Sequence, residues 1–112
     1  DIISGDDGTA LDLMLAGGHG DISVTANVVP DRMAAMCNAA LNGDADEARR
    51  LNEEIDPLHR DLFIESSPIP VKWALYEMGM IDRGIRLPLT PLSVPAQERL
   101  RETLRSLGLL EA

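Results

Sequence analysis

The sequence is short of the features that mark several large classes of protein. It has a single cysteine, Cys37, so no internal disulfide can form and a reducing cytoplasm is the expected compartment. Aromatic residues make up only 3% of the chain, so its core must be assembled from Leu, Ile, Val, Ala and Met. Positive charge is scarce: ten Lys and Arg against nineteen Asp and Glu give a formal net charge of −9. That balance argues against a nucleic-acid or anionic-membrane surface, because phosphate contacts need clustered cations. Long apolar runs are lacking as well. None approaches the length of a membrane span, and the first residues lack the charged and apolar regions of a signal peptide.

What is present suits one small domain. The chain has 112 residues, 45% of them hydrophobic, which is ordinary for a globular protein. Asp1 to Ser4 reads as a short strand, ended by the turn Gly5-Asp6-Asp7-Gly8. From Thr9 to Ala16 the apolar residues Leu11, Met14 and Leu15 have helical spacing, and Gly17-Gly18 stops the helix. Asp21 to Thr25 is rich in β-branched residues and reads as a second strand. A strand, a helix and a strand this close together favour a parallel pair with a right-handed crossover.

From Pro30 onward the pattern is helical. Met33, Met36, Cys37, Ala40 and Leu41 form one apolar stripe, closed by Gly43. Asp44 with Glu47 resembles a capping box, and Ala48, Leu51, Ile55, Leu58 and Leu62 continue the stripe behind it. Pro57 falls inside this run and is expected to kink it. "ESSPIPVKWALYEMG" opens a third long helix, with Pro70 near its start and Gly79 past its end. "IDRGIRLPLTPLS" has no clear period. A last helix begins near Ser93, carries Leu100, Leu104 and Leu107 on one face, and stops at Gly108. Two parallel strands followed only by helices cannot cover both faces and both edges of their own sheet. The expectation is therefore a piece of something larger, already inside a strand at Asp1.

Five segments, "SGDD", "GGHGDISVTANV", "PLHRDLF", "PIPVKWAL" and "RLPLTPLS", occur in an order and at a spacing that resemble the dihydrodipicolinate synthase family. The resemblance covers essentially the whole chain. It implies an α/β fold, the C-terminal fragment of a (β/α)8 TIM barrel. Residues 1–29 would be the last two β/α units, and residues 30–112 the final barrel helix and a C-terminal helical extension. A barrel of this kind needs about 250 residues, so an N-terminal barrel half is implied as partner. The family condenses pyruvate with aspartate semialdehyde in lysine biosynthesis, the diaminopimelate pathway, through a Schiff base on a barrel lysine. The resemblance thus implies a lyase without cofactor or metal, usually a homotetramer.

The same resemblance implies substrate-binding roles for Ile22, through its main chain, and for Gly5, whose missing side chain allows close approach. Asp6 falls where the family places a carboxylate near the pocket mouth. Asp7 is expected to cap the helix that follows, where the dipole favours an acid. The turns "SGDDG" and "GGHG" form no nucleotide fingerprint. No catalytic residue is assigned within this chain. Lys72 is its only lysine, but it lies in "PIPVKWAL", on the extension, while the family's reactive lysine belongs to an earlier strand. Tyr76 is likewise expected outside the barrel core and not in the family's proton relay. His19 is expected to be a hydrogen-bonding loop residue, His59 to face a helix interface, and Cys37 to act as a small hydrophobe. Where the family often has Asn before "PIP", this chain has Ser67, which cannot span the same distance.

Two rival readings remain open on sequence. Another pyruvate-dependent lyase of the same superfamily, an N-acetylneuraminate lyase or a keto-sugar-acid aldolase, would share the fold, although "GGHGDISVTANV" fits the synthase better. A non-catalytic helical interaction module would instead be a compact monomer with paired strand edges, where the fragment reading expects exposed apolar surface.

Overall fold

The computed structural model describes residues 1–111, as two compact units meeting between His59 and Arg60. The first unit opens with β1 (Ile3–Ser4), α1 (Asp7–Leu15) and β2 (Gly20–Asp21). The strands pair in parallel, Ile3 against Gly20 and Ser4 against Asp21. The ladder extends through His19 N–H to Ile2 C=O at 2.7 Å and Ile22 N–H to Ser4 C=O at 2.9 Å. A 3-10 turn (Thr25–Asn27) and α2 (Pro30–Leu41) follow, and α2 packs against both α1 and that turn. The packed unit therefore reaches beyond residue 29 to include α2, whose buried face is Met33, Met36 and Ala40. Leu41, at the end of the expected stripe, is exposed.

The second strand is shorter than its composition suggests. Asp21 to Thr25 was expected to be extended throughout, but β2 ends at Asp21 and the chain turns. The local reason is competition for backbone donors. Ser23 Oγ accepts the Ala26 N–H at 2.9 Å, and the Asp7 carboxylate takes the N–H groups of Val24 and Thr25. Side-chain acceptors of this kind offer the backbone an alternative to a ladder and override β-branched preference.

Helix α3 (Ala45–Asp61) runs unbroken through Pro57, buries Ala48, Ile55 and Leu58, and crosses the boundary between the units. Half of the expected capping box forms: Asp44 Oδ1 accepts the Glu47 N–H at 3.3 Å, whereas the Glu47 carboxylate pairs with Arg50. In the second unit, α4 (Ile69–Glu77) packs on α5 (Val94–Ser106). Ile69, Val71, Trp73 and Ala74 of α4 are buried, as are Ala96, Leu100 and Leu104 of α5. Asp61, buried in the same unit, is held by Arg99 Nε at 2.8 Å and by the Thr103 hydroxyl. No helix among the described residues is long and apolar enough to cross a membrane.

The turn joining α1 to β2 depends on one close approach. Gly18 donates its N–H to Leu13 C=O at 2.9 Å, and a Cβ there would lie 2.9 Å from that oxygen and 3.0 Å from Leu13 Cγ. Gly18→Ala is therefore expected to cost about 1–3 kcal/mol, the range for forcing a methyl into a filled site. Thermal unfolding followed by circular dichroism measures the loss. Gly5→Ala, which meets no such obstacle, is the control.

Candidate functional site

The parallel register decides where the expected site residues stand. Because Ser4 faces Asp21 and both strands run the same way, Gly5 and Ile22 leave the ribbon side by side at one end. The bond from Ile22 N–H to Ser4 C=O ties this end together. Gly5 is exposed; a Cβ built on it would meet no atom within 4 Å, and its φ lies outside the left-handed region. Nothing inside this chain therefore requires glycine there. Ile22 is 77% exposed.

Asp6, and not Asp7, stands at the start of the helix. Asp6 occupies the N-cap position of α1, with its Oδ2 accepting the Thr9 hydroxyl at 2.8 Å. The turn before it is held by Ser4, whose Oγ accepts the Asp6 N–H at 3.1 Å. Asp7, the expected cap, is buried, and its carboxylate turns away from its own helix. Oδ2 accepts the N–H of Val24 at 3.0 Å and of Thr25 at 2.9 Å, fastening the segment after β2 to the first turn of α1. Two unpaired N–H groups of a connecting segment outweigh one helix terminus that water can solvate.

A chain of contacts continues from there. The Thr25 hydroxyl lies 2.8 Å from His59 Nδ1, and His59 Nε2 lies 3.0 Å from Asn52 Oδ1. Burial lowers the His59 pKa, outweighing the nearby carboxylates of Asp7, Asp56 and Asp6. With Asn52 Oδ1 as acceptor, the neutral ring carries its proton on Nε2, so the Thr25 hydroxyl donates to Nδ1. His59 thus sits at a helix interface, as expected, and spaces α3 from the turn that follows Ile22.

Asp21 is the least expected member. It lines a hollow of about 230 Å³ together with Ser23, Pro30, Met33 and Cys37. Gly5, Asp6 and Ile22 do not line this hollow. Burial first, then the Asp7 carboxyl beside it and finally Asp6, push the Asp21 pKa up from 3.8 to about 7. Burial also pushes Asp7 up, but the neighbouring polar groups of Asp21, Ser23 and Thr25 prevail and leave it below the ordinary value. Burial and the two acids Asp21 and Asp7 raise the Cys37 thiol, which behaves as an inert small side chain.

The remaining candidates lie elsewhere. His19 accepts the Ile2 N–H on Nδ1 at 3.0 Å, a loop histidine bonded to the backbone. Lys72 and Tyr76 are on α4 in the second unit, beside Trp73, whose ring centroid is 5.1 Å from that of Tyr76. Ser67 is exposed ahead of the same helix. Among the described residues no cluster of three or more His, Cys, Asp and Glu side chains could hold a metal ion.

A parallel strand–helix–strand unit with helices behind it and its loops at one rim is the architecture of the last turns of a (β/α)8 barrel. The chain belongs to the dihydrodipicolinate synthetase family, whose model matches residues 1–107. It is 74% identical over 110 residues to the 4-hydroxy-tetrahydrodipicolinate synthase of Alcanivorax borkumensis, and 60% identical over 109 residues to that of Marinobacter nauticus. These alignments cover 98% and 97% of this chain but 37% of each relative, its C-terminal part. Among solved structures, the chloride-inhibited dihydrodipicolinate synthase of Acinetobacter baumannii complexed with pyruvate matches with a TM-score of 0.94. It is 55% identical, over 96% of this chain and 37% of that one. The synthase of Aquifex aeolicus matches over all of this chain and 39% of its own, with a TM-score of 0.96 and 41% identity.

Proposed function

We propose that this chain forms the closing wall of a 4-hydroxy-tetrahydrodipicolinate synthase that condenses pyruvate with aspartate semialdehyde. It supplies backbone to the pocket and no nucleophile. The observation that carries this reading is the pairing of β1 with β2, which brings the Gly5 and Ile22 backbones to one rim. In barrels of this class, substrates are bound at the C-terminal ends of the strands. Within this chain no atom stands within 4 Å of a Cβ built on Gly5, and Ile22 is exposed at the same rim. Ile2 and Ile3 are 59% and 45% exposed, an apolar surface suited to the remaining barrel strands as partners.

The chemistry assigned to the whole enzyme is a Schiff base between pyruvate and a lysine outside this chain, followed by attack of the enamine on the aldehyde. A lysine becomes nucleophilic when desolvation lowers its pKa. Lys72 stands on α4, in the unit that does not contain the rim, so the reading gives it no part in the reaction. Localisation in the cytoplasm and assembly into a homotetramer belong to the same proposal.

The test is reductive trapping. Treated with pyruvate and borohydride, this chain alone is expected to gain no adduct by mass spectrometry. Co-produced with the part of the Alcanivorax borkumensis relative that it does not match, it should yield synthase activity and one adduct, located on the other polypeptide. A stoichiometric adduct on Lys72 would overturn the assignment. A reconstituted pair that cleaves N-acetylneuraminate instead of forming the heterocycle would favour the neighbouring lyase.

A further inference from the structure

Three carboxylate oxygens in the first unit are shielded from water and receive no hydrogen bond from an N–H or hydroxyl group: Asp7 Oδ1, Asp21 Oδ1 and Asp21 Oδ2. Asp7 is 2% exposed and already spends Oδ2 on the N–H groups of Val24 and Thr25. Two ionised carboxylates cannot satisfy one another, because each can only accept, and their burial without donors would be costly on both sides. One proton placed between them changes this. A neutral Asp21 becomes a donor, Asp7 Oδ1 becomes its acceptor, and one charge is left where two would repel. We propose that Asp21 and Asp7 are an acid–carboxylate pair sharing a single proton, which clamps residues 21–25 to the first turn of α1, holds the Ile22 backbone in place and loosens when the proton leaves to solvent.

The geometry makes this clamp bracket Ile22. Asp7 holds the chain on one side of it through the shared proton at Asp21, and on the other through two backbone bonds at Val24 and Thr25. Asp21 itself is a positioning residue, since it lines a hollow that Gly5 and Ile22 do not reach. The groups that face the pair are few. From the start of α1 there is Asp6; from α2, Cys37; from α3, His59, whose pKa burial lowers. Among the described residues no cation acts on Asp21, and the charged groups that do are the carboxyls of Asp7 and Asp6.

The direction of the pH response follows from linkage. Asp21 holds its proton more tightly in the folded chain than in the unfolded chain, where its ordinary value is 3.8. Its contribution to stability is therefore complete below pH 3.8 and is lost as pH rises towards about 7. Asp7 works in the opposite sense: its contribution is present above 3.8 and is lost as pH falls below that value.

The experiment is a carbon-13 carboxyl titration with labelled aspartate, in the 112-residue chain and in a full-length hybrid joining it to the unmatched part of the Alcanivorax borkumensis synthase. One carboxyl should titrate near pH 7 and disappear in Asp21→Asn. In Asp7→Asn the same resonance should titrate lower, yet stay above 3.8 because burial remains. Unfolding followed across pH should show stability falling from pH 4 to 7 in the native protein. Asp21→Asn, whose amide donates permanently, should abolish that fall, while Asp21→Val should expose the Val24 and Thr25 amides to hydrogen exchange at every pH. These readouts do not depend on synthase activity, so failure of the functional reading leaves them intact. An Asp21 carboxyl titrating below pH 5 in the folded hybrid, or one unmoved by Asp7→Asn, would overturn the proposal.

Discussion

Replacing Asp7 with alanine is expected to destabilise the Asp1–His59 unit by about 3 kcal/mol, because two backbone donors lose one shared, charged acceptor. The Thr25 N–H is buried and that of Val24 partly so, so water can replace the carboxylate at only one of them in full. The substitution also removes the partner of Asp21, leaving that acid buried without an acceptor. Asp7→Asn keeps one carbonyl oxygen and should cost markedly less. Asp6→Ala is the informative contrast. Its carboxylate is exposed, makes no bond to the helix backbone and accepts only the Thr9 hydroxyl, so a loss below about 1 kcal/mol is expected. Urea unfolding of the three variants orders them. If Asp6→Ala proves the more damaging, Asp7 is not the fastening that the geometry indicates.

That contrast also marks how far the sequence could be read. The helices from Pro30 onward are legible because their signals are local. Buried Met33, Met36 and Ala40 recur at helical spacing, and Gly43, Gly79 and Gly108 each take positive φ just past a helix end. The parallel pair is legible too, since two turns and a nine-residue helix between strands leave little topological choice. The extent of β2 was not. Val24 and Thr25 have the right shape for a strand, but their N–H groups were already taken by a residue 17 and 18 positions earlier. Side-chain acceptors at that distance leave no periodic trace.

The site divides in the same way. The meeting of Gly5 and Ile22 follows from the strand–helix–strand pattern and the family resemblance together. The network behind it does not: Thr25 and His59 are 34 residues apart, and composition alone says nothing about which hydroxyl meets which ring. One cue was available at Asp21. An acid at the start of a run otherwise fit for a buried strand is anomalous, because an unpaired carboxylate there is expensive. Such a residue asks for a partner, and the acidic turn at Asp6 and Asp7 was the nearest place to look for one that could share a proton.

The second large effect concerns the rim. In the enzyme reconstituted from this chain and the unmatched part of its Alcanivorax borkumensis relative, Gly5→Val should weaken productive use of pyruvate by about 100-fold, the scale of a misplacement of roughly one ångström at a reacting centre. Its effect on unfolding should be small, since a Cβ at Gly5 meets nothing within 4 Å and the backbone is outside the left-handed region. Ile22→Ala should behave differently. Its side chain is mostly exposed and the role proposed for it belongs to the main chain, so kcat/KM should change far less. Ile22→Pro, by contrast, removes the N–H that bonds Ser4 C=O and should damage both folding and turnover. Steady-state kinetics beside thermal unfolding separates these outcomes. Similar losses from Gly5→Val and Ile22→Ala would mean that the side chains, not the backbone, shape the pocket wall. A drop in stability with Gly5→Val would mean instead that the space beside Gly5 is already filled in the assembled barrel, and that the keto acid is held elsewhere.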